Sequence, residues 1–329
     1  MRILCATILL WLNLFTTGQE STMTSNQSEP IVFATAVWSP ETLENAGVLA
    51  ASLREFGGHF SHAPFWLYVP AGTTSKQTEI WQRLSDLEVT IKEYSIPEVA
   101  QSFFSPLVFA SSAAEQAARN QAELLAFLGN DAVILQEPTE FNLPKDKTYG
   151  YRPVMHRNIC PLFEDGPDPF WNRVYDLLEV DRSKLFPVIT PADDEKILPY
   201  INAGCMIVRP EHGLLAQWEK DFLKVGVDST VLSACEQDQR KWIFTFQAAL
   251  SGTVVNNTTS SQRLELSAKY NYPIFFKETY GAKHDFHNIT DVAVIRIEGA
   301  FEKGIENWDK ILQGPADRIA WLKKYAARE

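Results

Sequence analysis

One acidic residue, Asp131, stands between two apolar runs in the segment 127–135, directly behind Gly129 and Asn130. An acid held where a strand ends can bind a divalent cation or a ribose hydroxyl, because its carboxylate oxygens suit both partners. A single aspartate in this position also serves as an ordinary turn residue, and the residues alone favour that second interpretation. The segment therefore offers a candidate ligand site with one carboxylate.

The apolar run 31–37 ends in small residues and an aromatic, which include Ala34, Thr35 and Trp38. Open α/β sheets bind ligands beyond the carboxyl ends of their strands. Small residues there would let a nucleotide base approach the backbone, and Trp38 could stack on that base. The alternative is a plain strand end without a ligand. The chain contains neither G-x-G-x-x-G nor G-x-x-x-x-G-K-[ST], so both of these phosphate cradles are absent.

A local positive cluster lies in the segment 151–158, which contains Arg152, Arg157 and His156, one of 6 histidines in the chain. These side chains could hold a phosphate or the hydroxyls of an acceptor. A solvated loop on an otherwise acidic surface explains the cluster equally well, and both interpretations stay open.

Alternating strands and helices are predicted along the first half of the chain. The pattern predicts strands at 31–37, 65–69, 89–94 and 132–135, and helices at 40–56, 74–84 and 111–125. Ser39 and Pro40 supply the cap and first turn of the first helix. This order is typical of βαβ units, so we predict an α/β fold: a Rossmann-type three-layer sandwich with a mixed, mainly parallel sheet.

The second half is less regular. It is predicted to contain strands at 149–155, 205–208 and 292–297 and helices at 170–178, 213–225, 236–251 and 316–326. Because no Pro/Gly/Ser-rich linker interrupts this part, residues 30–329 are predicted to form a single domain.

Four short motifs, in a fixed order, resemble the sugar-nucleotide glycosyltransferases of the GT-A type. The family's Asp-x-Asp after an apolar strand corresponds to Gly129-Asn130-Asp131, and its Asn-x-Gly strand corresponds to Asn202-Ala203-Gly204. A helix that opens with Asp-Gln corresponds to Asp238-Gln239, and a Tyr-Asn pair corresponds to Tyr270-Asn271. The opening strand and helix are also similar to the family's nucleotide-binding start. The resemblance implies a GT-A-like fold and a nucleotide-diphospho-sugar transferase.

The resemblance is weakest at the family's metal site. That site uses both aspartates of the motif and often a histidine in a late strand; here Gly129 replaces the first aspartate and Arg296 lies where the histidine would fall. Losing a carboxylate and gaining a guanidinium predicts that Mn²⁺ or Mg²⁺ binds weakly at Asp131, if at all. Arg296 is then expected to neutralise the donor diphosphate in place of the metal.

The resemblance assigns the remaining roles. The expected nucleotide-binding residues are Ala34, Thr35, Trp38 and Asp131; the expected sugar or acceptor residues are Asn202, Gly204, Arg152, His156 and Gln239; the expected catalytic residues are Asp238 and Arg296. Asp238 would be the base if the reaction inverts configuration, and the stereochemistry stays open.

The expected function is transfer of a sugar from a nucleoside diphosphate donor to a hydroxyl-bearing acceptor, such as a carbohydrate. The incomplete Asp-x-Asp motif supports one alternative, a catalytically inactive protein that binds carbohydrate or nucleotide. A hydrolase of sugar phosphates is a weaker alternative, because no Ser-His-Asp arrangement or metal-ligand cluster supports it.

Composition limits the partners. The net charge is −11 and the isoelectric point is near 5.1, and nothing in the sequence supplies the basic face that a nucleic-acid polymer requires, so no nucleic-acid partner is expected. A small dianionic ligand needs only a few local cations and remains compatible. After the N-terminal region, no segment approaches the roughly 18 apolar residues of a membrane-spanning helix, so no stable transmembrane anchor is expected.

The N-terminal region resembles an export signal. An apolar run at 3–15 follows Arg2, and the small residues 16–18 would suit a signal peptidase, so residues 1–18 are predicted to be a signal peptide and 19–29 a linker. The alternative is a cytoplasmic protein whose true start is Met23.

If the leader is real, the mature chain begins near Gln19, because cleavage follows the small residues behind the apolar run. N-terminal sequencing of protein from the native host checks this position. A product that starts at Met23 would contradict export.

Overall fold

The fold was described from a computed structural model, which covers residues 29–73, 78–100, 104–274, 286, 288–297 and 313–326. The predicted signal peptide and nearly all of the predicted linker lie outside these residues. Strands β1 to β12 are, in chain order, Glu29–Ala36, Phe65–Pro70, Val89–Tyr94, Ala122–Leu128, Ala132–Ile134, Tyr149–Pro153, Val188–Ile189, Lys196–Ile197, Ile201–Val208, Arg263–Glu265, Tyr272–Pro273 and Val294–Arg296. Helices α1 to α8 are Pro40–Phe56, Glu79–Asp86, Ser105–Ala118, Pro169–Leu177, Leu214–Gly226, Ser229–Gln237, Gln239–Asn257 and Ala316–Ala326.

Seven strands form the main sheet in the order β10-β6-β9-β4-β1-β2-β3. Strand β9 runs antiparallel to both of its neighbours, and the other pairs are parallel. A smaller sheet, β11-β12-β5, lies beyond the end of β4. The predicted α/β fold with a mixed, mainly parallel sheet is confirmed.

Helices cover both faces of the main sheet, as the side chains of β1 show. Val32 and Ala34 belong to the apolar cluster that contains α3, whereas Ile31 and Phe33 belong to the cluster that contains α1. Because successive side chains of a strand point to opposite faces, the sheet is the middle of three layers. Within the described residues, no helix is both long and apolar enough to cross a bilayer.

The first helix begins as its sequence predicts. The Ser39 side chain accepts a hydrogen bond from the amide of Thr42, and the Thr42 hydroxyl in turn accepts one from the amide of Ser39. This reciprocal capping box, with Pro40 in the first turn, fixes where the chain leaves β1.

Two predicted helices differ from the structure. Residues 122–125 were predicted to end a helix but begin β4, because the chain turns at Asn120, whose φ is +64°, and Ala122–Leu128 then enters the centre of the sheet. A strand covered on both faces is apolar without alternation, so periodicity does not separate it from a buried helix. The helix predicted at 236–251 is two helices, because Asp238 has the extended φ of −141° and caps the second one.

Helix α5 is capped from another element. Its own N-cap residue is Gly213, which offers no side chain, and the buried carboxylate of Glu115 on α3 accepts a hydrogen bond from the Ala216 amide at 2.8 Å. Burial raises the pKa of Glu115 to about 7, although the amides of α5 and the charge of Arg119 act in the opposite direction. Desolvation thus outweighs the favourable end of the helix.

This carboxyl group makes stability depend on pH. Since the pKa of Glu115 is about 7 in the native state against 4.5 for an unperturbed glutamate, the folded protein holds this proton where the unfolded chain has lost it. The contribution of Glu115 to the free energy of unfolding is therefore fully present below about pH 4.5 and is lost as pH rises to about 7. Each unit of difference corresponds to about 1.4 kcal/mol, so the loss is on the order of 3 kcal/mol.

We expect Glu115→Gln to remove this loss, so that the variant loses less free energy of unfolding than the parent between acidic and neutral pH. Urea denaturation at several pH values measures the difference, and the exposed Glu123→Gln is the matched control. Equal pH slopes for the parent and Glu115→Gln would contradict the assignment.

Candidate active site

Two side-chain hydrogen bonds join the carboxyl ends of β1 and β4. The Thr35 hydroxyl donates to the carbonyl oxygen of Leu128 at 2.8 Å, and the Asn130 side-chain amide donates to the carbonyl oxygen of Ala36 at 2.9 Å. Both side chains are buried. They fix the edge of the sheet where ligands of open α/β folds bind, and they hold the residue that follows, Asp131.

Asp131 forms an ion pair with Arg296, the last residue of β12. The Nε and Nη2 atoms of Arg296 lie 3.0 and 2.9 Å from Oδ2 of Asp131, and the two side chains are only 21% and 12% exposed. The backbone is also joined here, because the amide of Ile297 donates to the carbonyl oxygen of Asp131. The sequence predicted that both residues belong to the site, and the structure brings them into contact.

The ion pair bears on the divalent cation that the GT-A resemblance implies. The only carboxylate of the degenerate motif already binds a guanidinium, and the described residues contain no group of three or more Asp, Glu, His or Cys side chains placed to hold a metal ion. A divalent cation at Asp131 would lie against the fixed positive charge of Arg296. The described residues do not fit a Mn²⁺ or Mg²⁺ site, and the weak metal role expected for Asp131 stays a prediction.

Gly204 lies in the middle of a polar cluster beside this pair. A β-carbon on Gly204 would lie 2.9 Å from Oδ1 of Asn202, 3.1 Å from Oδ1 of Asn271 and 3.5 Å from Nε of Arg296. The Asn202 oxygen is held there by a 2.8 Å hydrogen bond from the Gly204 amide. Asn202 and Gly204, both predicted to line the sugar, are therefore next to Arg296, and only glycine leaves room for the cluster.

Asn271 belongs to the Tyr270-Asn271 motif but was not predicted as a site residue. Its backbone is left-handed, with a φ of +55°, and its side chain is 3% exposed. The side-chain oxygen has no hydrogen-bond partner among the described residues, which is costly for a buried polar atom. A left-handed asparagine after Tyr270 is the sequence feature that could have indicated it.

The predicted nucleotide-binding residues separate into two groups. Ala34 and Thr35 are fully buried within the sheet, where their side chains position the strand, and their nucleotide-binding role stays a prediction. Trp38 is half-buried and lines a cavity of about 660 Å³ that extends to Pro70 at the end of β2 and to Trp81 on α2. Its aromatic lining suits a planar ring, and the nucleotide role of Trp38 stays a prediction.

Arg152 and His156 lie at the carboxyl end of β6. Arg152 is 5% exposed, donates to the carbonyl oxygen of Leu266 and lies 3.7 Å from the Glu265 carboxylate. Burial raises the pKa of Glu265, and the charge of Arg152 lowers it. Arg152 is thus embedded in the sheet edge, whereas His156, in the loop that follows, is partly exposed.

Asp238 and Gln239 occupy the junction of α6 and α7. Oδ1 of Asp238 accepts hydrogen bonds from the backbone amide and Nε of Arg240, and Oδ2 accepts one from its Nη2. These bonds lower the pKa of Asp238. The geometry favours helix capping over proton abstraction, and the catalytic role predicted for Asp238 stays untested, like the sugar role of the exposed Gln239.

A family model described as the Rhodobacterales glycosyltransferase domain matches residues 34–255, which is more than half of the chain. No curated protein is significantly similar to this chain in sequence. The match includes the end of β1, all of β4, Asp131, Gly204 and most of α7.

Several solved structures are similar. The galactosyltransferase LgtC, in complex with donor and acceptor sugar analogues, is 13% identical over 80% of this chain and 86% of its own, with a TM-score of 0.44. Mouse xyloside xylosyltransferase 1 is 13% identical over 82% and 97%, with a TM-score of 0.41. Core-mannan synthase A from Aspergillus fumigatus, in an Mn/GDP form, is 9% identical over 73% of each chain, with a TM-score of 0.44.

We expect Gly204→Ala to lower the free energy of unfolding by about 1–2 kcal/mol, because the new methyl group displaces Asn202 and presses on Asn271. Chemical denaturation measures the change. The control is Gly226→Ala at the end of α5, where the methyl group meets only ordinary contacts with Phe222 at 3.8 Å. A Gly204→Ala variant as stable as this control would mean that the cluster is loosely packed.

Proposed function

We infer that this chain, which belongs to the Rhodobacterales glycosyltransferase domain family, transfers a sugar from a nucleoside diphosphate donor to a hydroxyl-bearing acceptor without requiring a divalent metal. The Asp131–Arg296 ion pair carries this proposal. It places a guanidinium where the sheet edge, the polar cluster of Gly204 and the end of β1 converge.

Arg296 supplies the charge that the leaving group requires. When the bond between the sugar and the diphosphate breaks, negative charge develops on the departing oxygen, and a preorganised cation lowers the barrier. A guanidinium also matches the geometry of phosphate oxygens by donating two parallel hydrogen bonds. Asp131 holds Arg296 by two contacts to one oxygen, so the guanidinium is oriented before the donor arrives.

The same ion pair argues for independence from a metal. Asp131 balances the charge of Arg296, so a cation brought to this carboxylate would have to displace the guanidinium. The donor diphosphate has the opposite preference, because it is attracted to Arg296 and repelled by Asp131. Binding therefore depends on Arg296 and is opposed, modestly, by Asp131.

One observation favours a second function, a non-catalytic carbohydrate- or nucleotide-binding protein. The Asp131–Arg296 pair has no net charge and is mostly buried, so it also works as a purely structural joint between β4 and β12. Donor hydrolysis with turnover separates the two functions, because a binding protein holds the nucleotide without consuming a nucleotide sugar.

We expect Arg296→Ala to weaken nucleoside diphosphate binding by about ten- to a hundredfold, because a charge-assisted contact is lost and Asp131 is left unpaired. Asp131→Asn should change the dissociation constant by about threefold or less, because it removes a repulsive charge. Calorimetry with UDP, GDP and ADP measures both variants, with and without EDTA, and EDTA should have no effect on the parent.

The double variant, Arg296→Ala with Asp131→Asn, is the matched control. It should bind more tightly than Arg296→Ala alone, because the unpaired carboxylate is gone. Binding that collapses on chelation, together with a neutral Arg296→Ala, would overturn both the metal independence and the role of Arg296.

A further inference from the structure

The short hairpin formed by β7 and β8 is hydrogen-bonded to Met155, the residue that precedes His156. Its strands pair antiparallel, and the Thr190 amide donates to the carbonyl oxygen of Glu195 at 3.0 Å, which closes the tip. The Ala192 amide donates to the carbonyl oxygen of Met155 at 3.1 Å. The tip of the hairpin is therefore held in a fixed position beside the loop that follows β6.

Three side chains form a line from this hairpin to solvent. The buried Thr190 hydroxyl donates to Oδ1 of Asp193, and Oδ2 of Asp193 lies 3.4 Å from Nδ1 of His156. The His156 and Asp193 side chains are 30% and 36% exposed, so the line ends in contact with water. A carboxylate on Nδ1 favours the tautomer that carries its proton there, which leaves the lone pair on Nε2.

This line of side chains ends at the same edge of the sheet as Arg296. Strand β6 is parallel to β4 and is separated from it only by β9, so the loop that follows β6 leaves the sheet at the same edge as Asp131. Met155 and Pro191, which flank the histidine and the aspartate, line a small recess together with Asn271. Asn271 in turn lies beside Gly204 and Arg296.

We propose that His156 is the general base that accepts the proton of the acceptor hydroxyl, with Asp193 and Thr190 as positioning residues; this rests on the function proposed above. Nε2 of His156 takes the hydroxyl proton while the acceptor oxygen forms a bond to C1 of the donor sugar. The bond between C1 and the diphosphate oxygen breaks, and its electron pair leaves with the nucleoside diphosphate. The imidazolium then returns the proton to water.

The charges around His156 support this role. Asp193 contacts the ring, Asp194 and Glu195 follow it on the same tip, and Glu195 is 3.4 Å from Arg157, the one cation that directly follows His156. Arg152, on β6, and Glu265, on the neighbouring strand β10, form a second pair of opposite charges. Of these groups, Asp193 contacts the ring through its carboxylate, and the charges of Arg157 and Arg152 are balanced by Glu195 and Glu265.

Asp238 is a poorer candidate for the same step. Both of its oxygens bind Arg240, and the resulting fall in the pKa of Asp238 makes the carboxylate a weak proton acceptor. His156 has one nitrogen next to Asp193, and the residue before it, Met155, accepts a backbone hydrogen bond from Ala192 of the hairpin. A base oriented by a third group is the arrangement that general base catalysis requires.

The test uses the full chain and water as the acceptor, with UDP-glucose, UDP-galactose and GDP-mannose as probes. We expect His156→Gln to lower kcat for donor hydrolysis about a hundredfold and Asp193→Asn to lower it about tenfold. The acid limb of the pH profile should disappear in His156→Gln, and free imidazole should restore part of the activity of His156→Ala. Calorimetry should show nucleoside diphosphate binding within about twofold of the parent in each variant.

A matched control accompanies these variants. His212→Gln removes an exposed histidine that pairs with Glu211 and should leave kcat within about twofold. The mechanism is a single displacement, so an α-linked donor should release the β-sugar first, as observed by proton NMR of the early product.

Three results would overturn the inference: kcat unchanged in His156→Gln, retention of configuration, or a parent protein that binds nucleoside diphosphates but hydrolyses none of the three donors. A parent protein that binds no nucleoside diphosphate would instead overturn the proposed function on which the inference rests. Loss of activity in His156→Ala without rescue by imidazole, and with an unchanged acid limb in His156→Gln, would assign the histidine a structural role only.

Discussion

The ion pair between Asp131 and Arg296 is the constraint on which the site depends. It joins the end of β4 in the main sheet to β12 in the small sheet, and Ile297 adds a backbone hydrogen bond to Asp131 at the same place. Both charges are mostly removed from water, so each is tolerated because the other is present. Removing either partner alone leaves a poorly solvated charge at the edge where a ligand would bind.

This constraint accounts for the residues around it. Asn202 and Asn271 direct side-chain oxygens towards the space beside Gly204, where the guanidinium also lies, and a β-carbon at Gly204 would fill that space. Thr35 and Asn130 hold the strand ends that carry Asp131. The cluster is therefore built on paired strands, which hold side chains more firmly than an isolated loop does.

Much of the fold followed from local patterns, because caps and buried strands leave clear marks in sequence. The start of α1 at Ser39 and the parallel order of β1, β2 and β3 were predicted correctly. The start of β4 was wrong because a doubly covered strand lacks alternation, and the break at Asp238 was missed because the residues on both sides favour helix. These are failures of periodicity where tertiary burial decides the structure.

The site was harder to predict than the fold, since its contacts join distant residues. Asp131 and Arg296 were both expected at the site, but their direct pairing, 165 positions apart, depends on the antiparallel register of β12 against β5. Asp193, 37 positions from His156, was not expected at the site, because nothing in the local sequence indicates that the tip of so short a hairpin contacts the histidine. The ligand role expected for Thr35 stays a prediction, and its hydroxyl donates to the carbonyl oxygen of Leu128 between two strands, a contact that was not predicted.

The proposed function requires an acidic protein to bind a diphosphate, which is an electrostatic problem that must be solved locally. The arginines along this edge, Arg296, Arg152 and Arg157, each lie within 4 Å of a carboxylate, so none adds an unbalanced charge to a chain whose net charge is −11. Long-range attraction of an anionic donor is therefore weak, and screening by salt reduces it further. Affinity must come from short-range geometry, in which a guanidinium held in place by Asp131 meets phosphate oxygens without first losing conformational freedom. Pairing thus costs net charge but provides orientation, and orientation is what the transfer of a sugar requires.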